Sequence, residues 1–254
     1  MITLSSDFGS PYPAAMKGVL LQHSEARLVD VSHEFPRQDV RAAAFWLREI
    51  LPYFPPAVHL VVVDPGVGTD RAAIAIEAGE HVLVGPDNGV LLPAARSLAP
   101  DDEAFTVYEI SDEDAESSTF HGRDVFAPAA GVVHEQWRDE DALAALDDLT
   151  RTDEHVELRL PEPTIRDAAV VGEVLVVDGF GNVITNLPGY TVEGCEEVDV
   201  NGQTVPVGET FASVPAGQWL VTVGSHGNVE LDVNQGRGDE AFGLDAGDDV
   251  RIEL

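Results

Sequence analysis

The spacing of apolar residues changes character once along this chain, and that change limits what it can fold into. Through the first 150 residues, short apolar runs alternate with helical segments. "MITLSS" reads as a strand, "PAAMKGVLLQH" as a helix, "ARLVDVS" as a strand, "QDVRAAAFWLREILPYF" as a helix and "VHLVVVD" as a strand. Alternation of this kind belongs to a mainly parallel sheet covered by helices, because parallel neighbours need a crossover between them. The helix over 38–54 carries Val40, Ala44, Leu47 and Leu51 at helical spacing and is stopped by Pro55-Pro56. After about residue 165 the pattern becomes short strands and tight turns: "VVGEVLVVD", "GNVITNL", "EEVDVNGQTVPV", "QWLVTVGSHGNVELDVN" and "DDVRIEL", with Asn201-Gly202 as a hairpin signal. The expectation is an α/β domain over 1–155, an extended linker over 156–167 that includes the prolines of "LPEPTIRD", and a small all-β barrel over 168–254.

In open sheets of parallel strands, reactive groups gather beyond the carboxyl ends of the strands. Asp7, His33, Asp64 and Asp87 each follow an apolar run and so share one edge. The glycine-rich stretch after the third strand, "VVVDPGVGTDR", is not a phosphate loop. It lacks G-x-x-x-x-G-K-[ST] and G-x-G-x-x-G, and the "AAIAIEA" that follows alternates like a strand, so no helix N-terminus points back at it. The turn is built to present the side chains of Asp64 and Arg71.

Composition narrows the partners. Asp and Glu total 46 against 14 basic residues, for a formal charge of −32, and Lys17 is the sole lysine. With 44% hydrophobic residues the chain still has the apolar content for real cores, so the charge does not signal disorder. A lysine-poor acidic surface is that of a halophile's cytoplasmic protein, hydrated in concentrated salt. It repels nucleic acid, and no basic stripe offsets it. The start "MITLSSDF" has no basic n-region or apolar h-region, and no run of about 18 apolar residues occurs, so neither export nor a membrane partner is expected. Cys195, the lone cysteine, leaves no internal disulfide and no cysteine-based metal cluster. The acidic stretch at 99–118 reads as solvated surface, and a second acidic stretch, at 138–155, leads into the linker.

Five stretches in order carry the chemistry: "SSDFG" (5–9), "DPGVGTDR" (64–71), "GPDNG" (85–89), "FHGRDVFAP" (120–128) and "DGFGNVITN" (178–186). Together they resemble the S-adenosylmethionine (SAM) hydrolase family, the SAM hydroxide adenosyltransferases, kin of fluorinase and chlorinase. The resemblance implies that water displaces methionine from C5′ of SAM, giving adenosine and L-methionine with no metal and no cofactor. It implies a water held by Asp64, Arg71 and His121, with Phe120 and the Gly122 amide near the reacting carbon. Asp7 resembles the acceptor for both ribose hydroxyls, Asp178 and Asn182 the partners of the methionine ammonium and the adenine edge, Phe211 the adenine-stacking ring, and Ser225 the residue gripping the methionine carboxylate. It also implies a homotrimer whose active sites lie between the N-terminal domain of one subunit and the C-terminal domain of the next. An anionic Asp64 repels halide, which favours hydrolysis over halogenation.

The chain departs from the pattern in places. "DFGSPYP" is two residues shorter than the usual first loop and lacks its second Asp, Gln38 stands where fluorinase has a tryptophan, and His226 stands beside Ser225 where fluorinase has an arginine. Two other readings remain open on sequence. One is a metal-dependent hydrolase using His33, Glu34, Asp64, Asp87 and His121, although no H-E-x-x-H pair is present. The other is a non-catalytic SAM or adenosine sensor, which has no need of a water-holding triad.

Overall fold

Five residues of the first strand, β1 (Ile2–Ser6), are buried along their whole length, the mark of a strand covered on both faces. In the computed structural model, which describes every residue except 113–116, 118, 138–141, 167 and 254, the chain divides into two compact units, Met1–Arg159 and Leu160–Leu254. The acidic stretch at 99–118, read as solvated surface, falls partly outside the described residues.

The N-terminal unit continues with α1 (Tyr12–His23), β2 (Leu28–Ser32), α2 (Val40–Ile50), β3 (Val58–Val62), β4 (Ala73–Ala78), β5 (His81–Pro86), α3 (Leu92–Leu98), β6 (Phe105–Ile110), α4 (Ala127–Gln136) and β7 (Leu149–Thr152). Its sheet runs β2-β1-β3-β5-β4-β6-β7. The pairs β1–β2, β1–β3 and β3–β5 are parallel, and β4 pairs antiparallel with both β5 and β6, so β2, β1, β3, β5 and β6 all point one way. The sheet is therefore mainly parallel, as the alternation of strands and helices requires. Successive residues of β3 serve opposite faces. Leu60 and Val62 join Met16, Leu20, Ala127 and Val133 of α1 and α4, while Val61 and Val63 join Ala43, Leu47, Ala94 and Ala95 of α2 and α3. Helix α2 starts two residues later than its apolar spacing suggests, because Asp39 caps it by accepting a hydrogen bond from Ala42 N, and Gln38 before it is left-handed at φ 61°.

Residues 154–163 have no regular structure. Those at 156–158 are tied to the N-terminal unit: Val156 N donates to Asp87 Oδ1, and Arg96 bonds both Glu157 and the Leu158 carbonyl.

The C-terminal unit comprises β8 (Thr164–Arg166), β9 (Ala169–Val177), β10 (Val183–Pro188), β11 (Glu197–Val200), β12 (Gln203–Pro206), β13 (Trp219–Val223), β14 (Asn228–Val233), the short α5 (Gly238–Phe242) and β15 (Asp249–Glu253). Its named strands pair antiparallel in the order β12-β11-β15-β9-β10-β14-β13, with β8 added on β9. A bridge from Val207 to Val221, with Gly208 N donating to the Val221 carbonyl, brings the two ends of that order together into a nearly closed barrel. Val174, Val183, Leu187, Val229, Leu231 and Ile252 fill its core. The Asn201-Gly202 turn between β11 and β12 has φ of 52° and 89°, the double left-handed geometry of a type I′ hairpin. Among the described residues no helix is long and apolar enough to cross a membrane.

Candidate active site

Four adjacent parallel strands, in the order β2-β1-β3-β5, end at His33, Asp7, Asp64 and Asp87. The shared edge follows from the topology, but the four side chains take different partners. His33 Nδ1 bonds Ser6 Oγ at 2.7 Å and its Nε2 bonds Asp30 at 3.0 Å. Asp87 accepts from Val156 N at 2.8 Å. Neither lines the cavity that opens at this edge. Among the described residues no group of three or more His, Cys, Asp or Glu side chains is arranged to hold a metal ion, so the set His33, Glu34, Asp64, Asp87 and His121 is not gathered into one centre.

Asp64, Arg71 and His121 are brought together. The turn after β3 is shaped by its own residues: Asp64 Oδ1 accepts from Gly66 N at 3.2 Å, Thr69 N donates to the Gly66 carbonyl, and Gly68 takes φ 80°. Its return leg, just before β4 begins at Ala73, brings Arg71 back against Asp64. The guanidinium forks onto the carboxylate, Nε to Oδ1 at 3.2 Å and Nη2 to Oδ2 at 2.7 Å. Both side chains are buried, at 8% and 6% exposure. Arg71 is held further by Nη1 on the Ala72 carbonyl at 2.7 Å and by its stacking over the Phe126 ring at 5.1 Å. Its Nη2 also lies 3.1 Å from His121 Nδ1. Arginine only donates, so Nδ1 is the acceptor and His121 is the tautomer with its proton on Nε2. The buried row thus runs from carboxylate to guanidinium to imidazole.

His121 stands at the head of a π-helical turn, Gly122–Phe126, which leads into α4. Such turns concentrate at functional sites. A side chain at Gly122 would meet Met16 Sδ at 3.0 Å and Val62 Cγ1 at 3.1 Å, so the glycine lets this turn sit directly on β3 and α1.

The cavity, about 550 Å³, is lined among others by Asp7, Asp64, Phe120, His121 and Gly122. Asp7 is not an Asx turn onto Gly9, whose N–H donates instead to the His33 carbonyl. Its Oδ2 accepts from Gln38 N at 2.6 Å, which fixes the carboxylate in the cavity wall. The left-handed Gln38 makes that contact possible. Phe8, Tyr12 and Phe120 form an edge-to-face trio with centroids 5.5 to 6.2 Å apart. Tyr12, Arg37 and Arg123 also line the cavity and were not singled out as site residues from sequence. Tyr12 was within reach, since it closes the shortened "DFGSPY" loop; nothing in the spacing marked the two arginines.

The remaining candidates lie in the C-terminal unit. Asp178 and Asn182 meet in the β9–β10 turn: Asp178 Oδ1 accepts from Phe180 N and Asn182 N, and its Oδ2 from Asn182 Nδ2 at 3.1 Å. Those bonds are also what a polar turn needs. Phe211, 44% exposed, opens a one-turn helix, and Ser225 is exposed in the β13–β14 turn.

A mainly parallel α/β unit with a buried acid–arginine–histidine row at its strand edge, followed by a small β-barrel unit, defines a class of two-unit enzyme scaffolds. The chain belongs to the SAM hydroxide adenosyltransferase family: the family's N-terminal domain matches residues 2–141 and its C-terminal domain residues 172–251. It is 41% identical to a protein of Salinispora tropica named (R)-S-adenosyl-L-methionine hydrolase, over 99% of this chain and 97% of the relative. A Thermus thermophilus protein of the same name is 41% identical over 97% of each chain. Among solved structures, a conserved protein from Thermotoga maritima superposes with a TM-score of 0.84 at 32% identity over all of both chains. A conserved protein from Thermus thermophilus superposes at 0.74 with 37% identity, over 99% of this chain and 98% of the other.

Proposed function

We propose that this chain hydrolyses S-adenosyl-L-methionine to adenosine and L-methionine, by in-line attack at C5′ of a water held by Asp64, Arg71 and His121. The observation that carries the reading is the buried Asp64–Arg71–His121 row, whose two ends, Asp64 and His121, line a cavity that Asp7 also lines. The sulfonium departs as a neutral thioether, so the chemistry needs no general acid; it needs a bound substrate and a water oriented along the C5′–S axis. Arg71 occupies both carboxylate oxygens and fixes the direction in which Asp64 offers its remaining lone pairs. His121, with Nδ1 taken by Arg71, has Nε2–H as its donor. An acceptor from Asp64 and a donor from His121 orient a water at two points. As C5′–O bond formation makes that water acidic, Asp64 is the group placed to take or relay its proton. Asp7, held by Gln38 N, accepts the ribose hydroxyls, and Phe120 and Gly122 border the reacting carbon.

The same reading assigns Asp178, Asn182, Phe211 and Ser225 to the methionine and adenine ends. It places the enzyme in the cytoplasm of a salt-accumulating cell, as a homotrimer whose active sites form between subunits. Inactive Asp7→Ala and Asp178→Ala subunits, reassembled together, then recover part of the activity; no recovery in confirmed mixed trimers places each site within one chain.

The direct test mixes purified protein with SAM in molar potassium chloride made up in ¹⁸O-water and separates the products. Adenosine labelled at its 5′ oxygen, with an equal amount of methionine, is expected. Absence of adenosine, or adenosine without label, overturns the reading.

A further inference from the structure

Phe8, Tyr12 and Phe120 all line the active-site cavity, and the reaction above leaves Phe8 and Tyr12 without a role. Each pair of rings is close to perpendicular, at 88° for Phe8 and Tyr12, 89° for Phe8 and Phe120 and 83° for Tyr12 and Phe120. A single edge-to-face pair is ordinary core packing. Three mutually perpendicular planes on one cavity are the walls of a corner. Phe8 and Phe120 rest on the core cluster beneath, while Tyr12, the first residue of α1, is 55% exposed. Neighbours in sequence set where the corner stands: Phe8 follows Asp7 and Phe120 precedes His121, both of which line the same cavity. A side chain at Gly122 would meet Phe120 Cε2 at 3.2 Å, so that glycine lets the ring lie over the π-helical turn.

The charged side chains around this corner offer little to a cation. Asp64 is matched by Arg71, and Asp7 is assigned to the ribose. Arg123 forks onto Asp124, with Nη2 on Oδ2 at 2.7 Å, and Arg37 adds positive charge to the cavity wall. A sulfonium, moreover, has no N–H or O–H to donate to a carboxylate. Its charge is spread over the carbons bonded to sulfur, and the surface suited to such a cation is the face of an aromatic ring. Phe120 already takes one cation in this way, since the Arg123 guanidinium lies 5.4 Å from its centroid.

We propose that Phe8, Tyr12 and Phe120 form an aromatic corner that binds the substrate's sulfonium and selects a cationic sulfur over a neutral one, with Tyr12 as the specificity-determining residue. The identity of the cation rests on the SAM-hydrolase reading. As the C5′–S bond breaks, sulfur keeps the bonding pair and becomes a neutral thioether. The attraction is therefore strongest before the reaction and weakest after it. The corner captures substrate and lets methionine go, and it does not speed the chemical step.

The test compares two 5′-deoxyadenosines that lack the amino-acid end. One carries a dimethylsulfonio group at C5′, and the other an isopropyl group of the same shape without the charge. Calorimetry in molar potassium chloride uses Asp64→Asn, so that turnover does not consume the ligand. The sulfonium is expected to bind about tenfold more tightly than its neutral isostere. Adding Tyr12→Leu, with folding checked by adenosine affinity, is expected to remove most of that preference, and adding Tyr12→Phe to keep it. With Asp64 intact, Tyr12→Leu is expected to raise KM for SAM about tenfold while kcat does not fall. Equal affinity for the two ligands, or a preference that survives Tyr12→Leu, overturns the proposal and leaves the trio as packing. Loss of the preference in Tyr12→Phe assigns it to the hydroxyl and overturns the ring-face account. A wild type that forms no adenosine from SAM, beside an intact preference, fails the hydrolase reading and keeps the corner as a sulfonium site. Hydrolysis without the preference fails the corner alone.

Discussion

Asp64, in the turn after β3, and Asp232, on β14, both have buried carboxylates, and the fold treats them differently. Asp64 receives a forked guanidinium within 3.2 Å on both oxygens, and the same arginine reaches on to His121. Asp232 receives one hydroxyl and has a second oxygen with no partner, with Glu230 and Asp178 as its nearest acidic company. The comparison teaches that burial alone does not tell what an acid is for. A carboxylate compensated in advance is a fixed charge that orients a neutral molecule such as water. A carboxylate left uncompensated is adjustable, because a proton or a cation completes it.

The largest expected effect breaks the first half of that comparison. Asp64→Asn keeps the shape and one acceptor but removes the charge, so turnover is expected to fall about 10²- to 10⁴-fold, or about 3 to 5 kcal/mol, while SAM affinity persists. Single-turnover rates beside calorimetric affinity check it. Near-full turnover, or a loss of binding as severe as that of Asp7→Ala, makes the 64–71 turn a docking element instead. Arg71→Ala strikes the same pair from the other side and leaves Asp64 a buried charge without a counter-ion. Removing one partner of such a pair typically costs about 3 to 5 kcal/mol of stability, to be read in chemical denaturation. An unchanged stability means that water already reaches the pair.

A smaller effect concerns the second half. The Glu230 and Asp232 carboxyls are raised above their ordinary values, so the folded state binds more protons than the unfolded chain between about pH 4 and 7. The stability they contribute is complete below that window and is lost as pH rises through about 6 to 7. In the double variant Glu230→Gln with Asp232→Asn this decline is expected to flatten. Melting temperature against pH for both proteins isolates the pair, since the rest of the acidic surface is common to them. Parallel curves show that the two acids titrate normally.

The two units also differ in what their sequences disclosed. The row of acids and His33 at one sheet edge was legible, because strand period fixes where each run ends and parallel topology brings the ends together. The Arg71–His121 contact was not legible from spacing, as it joins residues 50 apart and depends on a π-helical turn. Helices α3 and α5, of seven and five residues, are too short to show a helical period. The acid pair was hidden by the rule that reveals strands: in "NVELDVN", alternation assigns Glu230 and Asp232 to the solvent face. Only tertiary packing shows that this face is closed.

The smallest effect sharpens the comparison through salt. The 46 acids against 14 bases repel one another across the surface, and raising salt from 0.1 to 1 M shortens the Debye length from about 10 Å to about 3 Å. Melting temperature is therefore expected to rise with potassium chloride, and a flat profile from 0.1 to 3 M removes the halophilic reading. Screening acts through water, however, and Asp232 is fully buried. The pH midpoint isolated by subtracting the double variant from the wild type is expected to move by less than about half a unit over the same salt range, since desolvation and not surface charge raises both acids. A midpoint that falls steadily toward ordinary carboxylate values as potassium chloride increases shows that ions reach the pair. In that case Glu230 and Asp232 belong with the acidic surface, and the contrast with Asp64 fails.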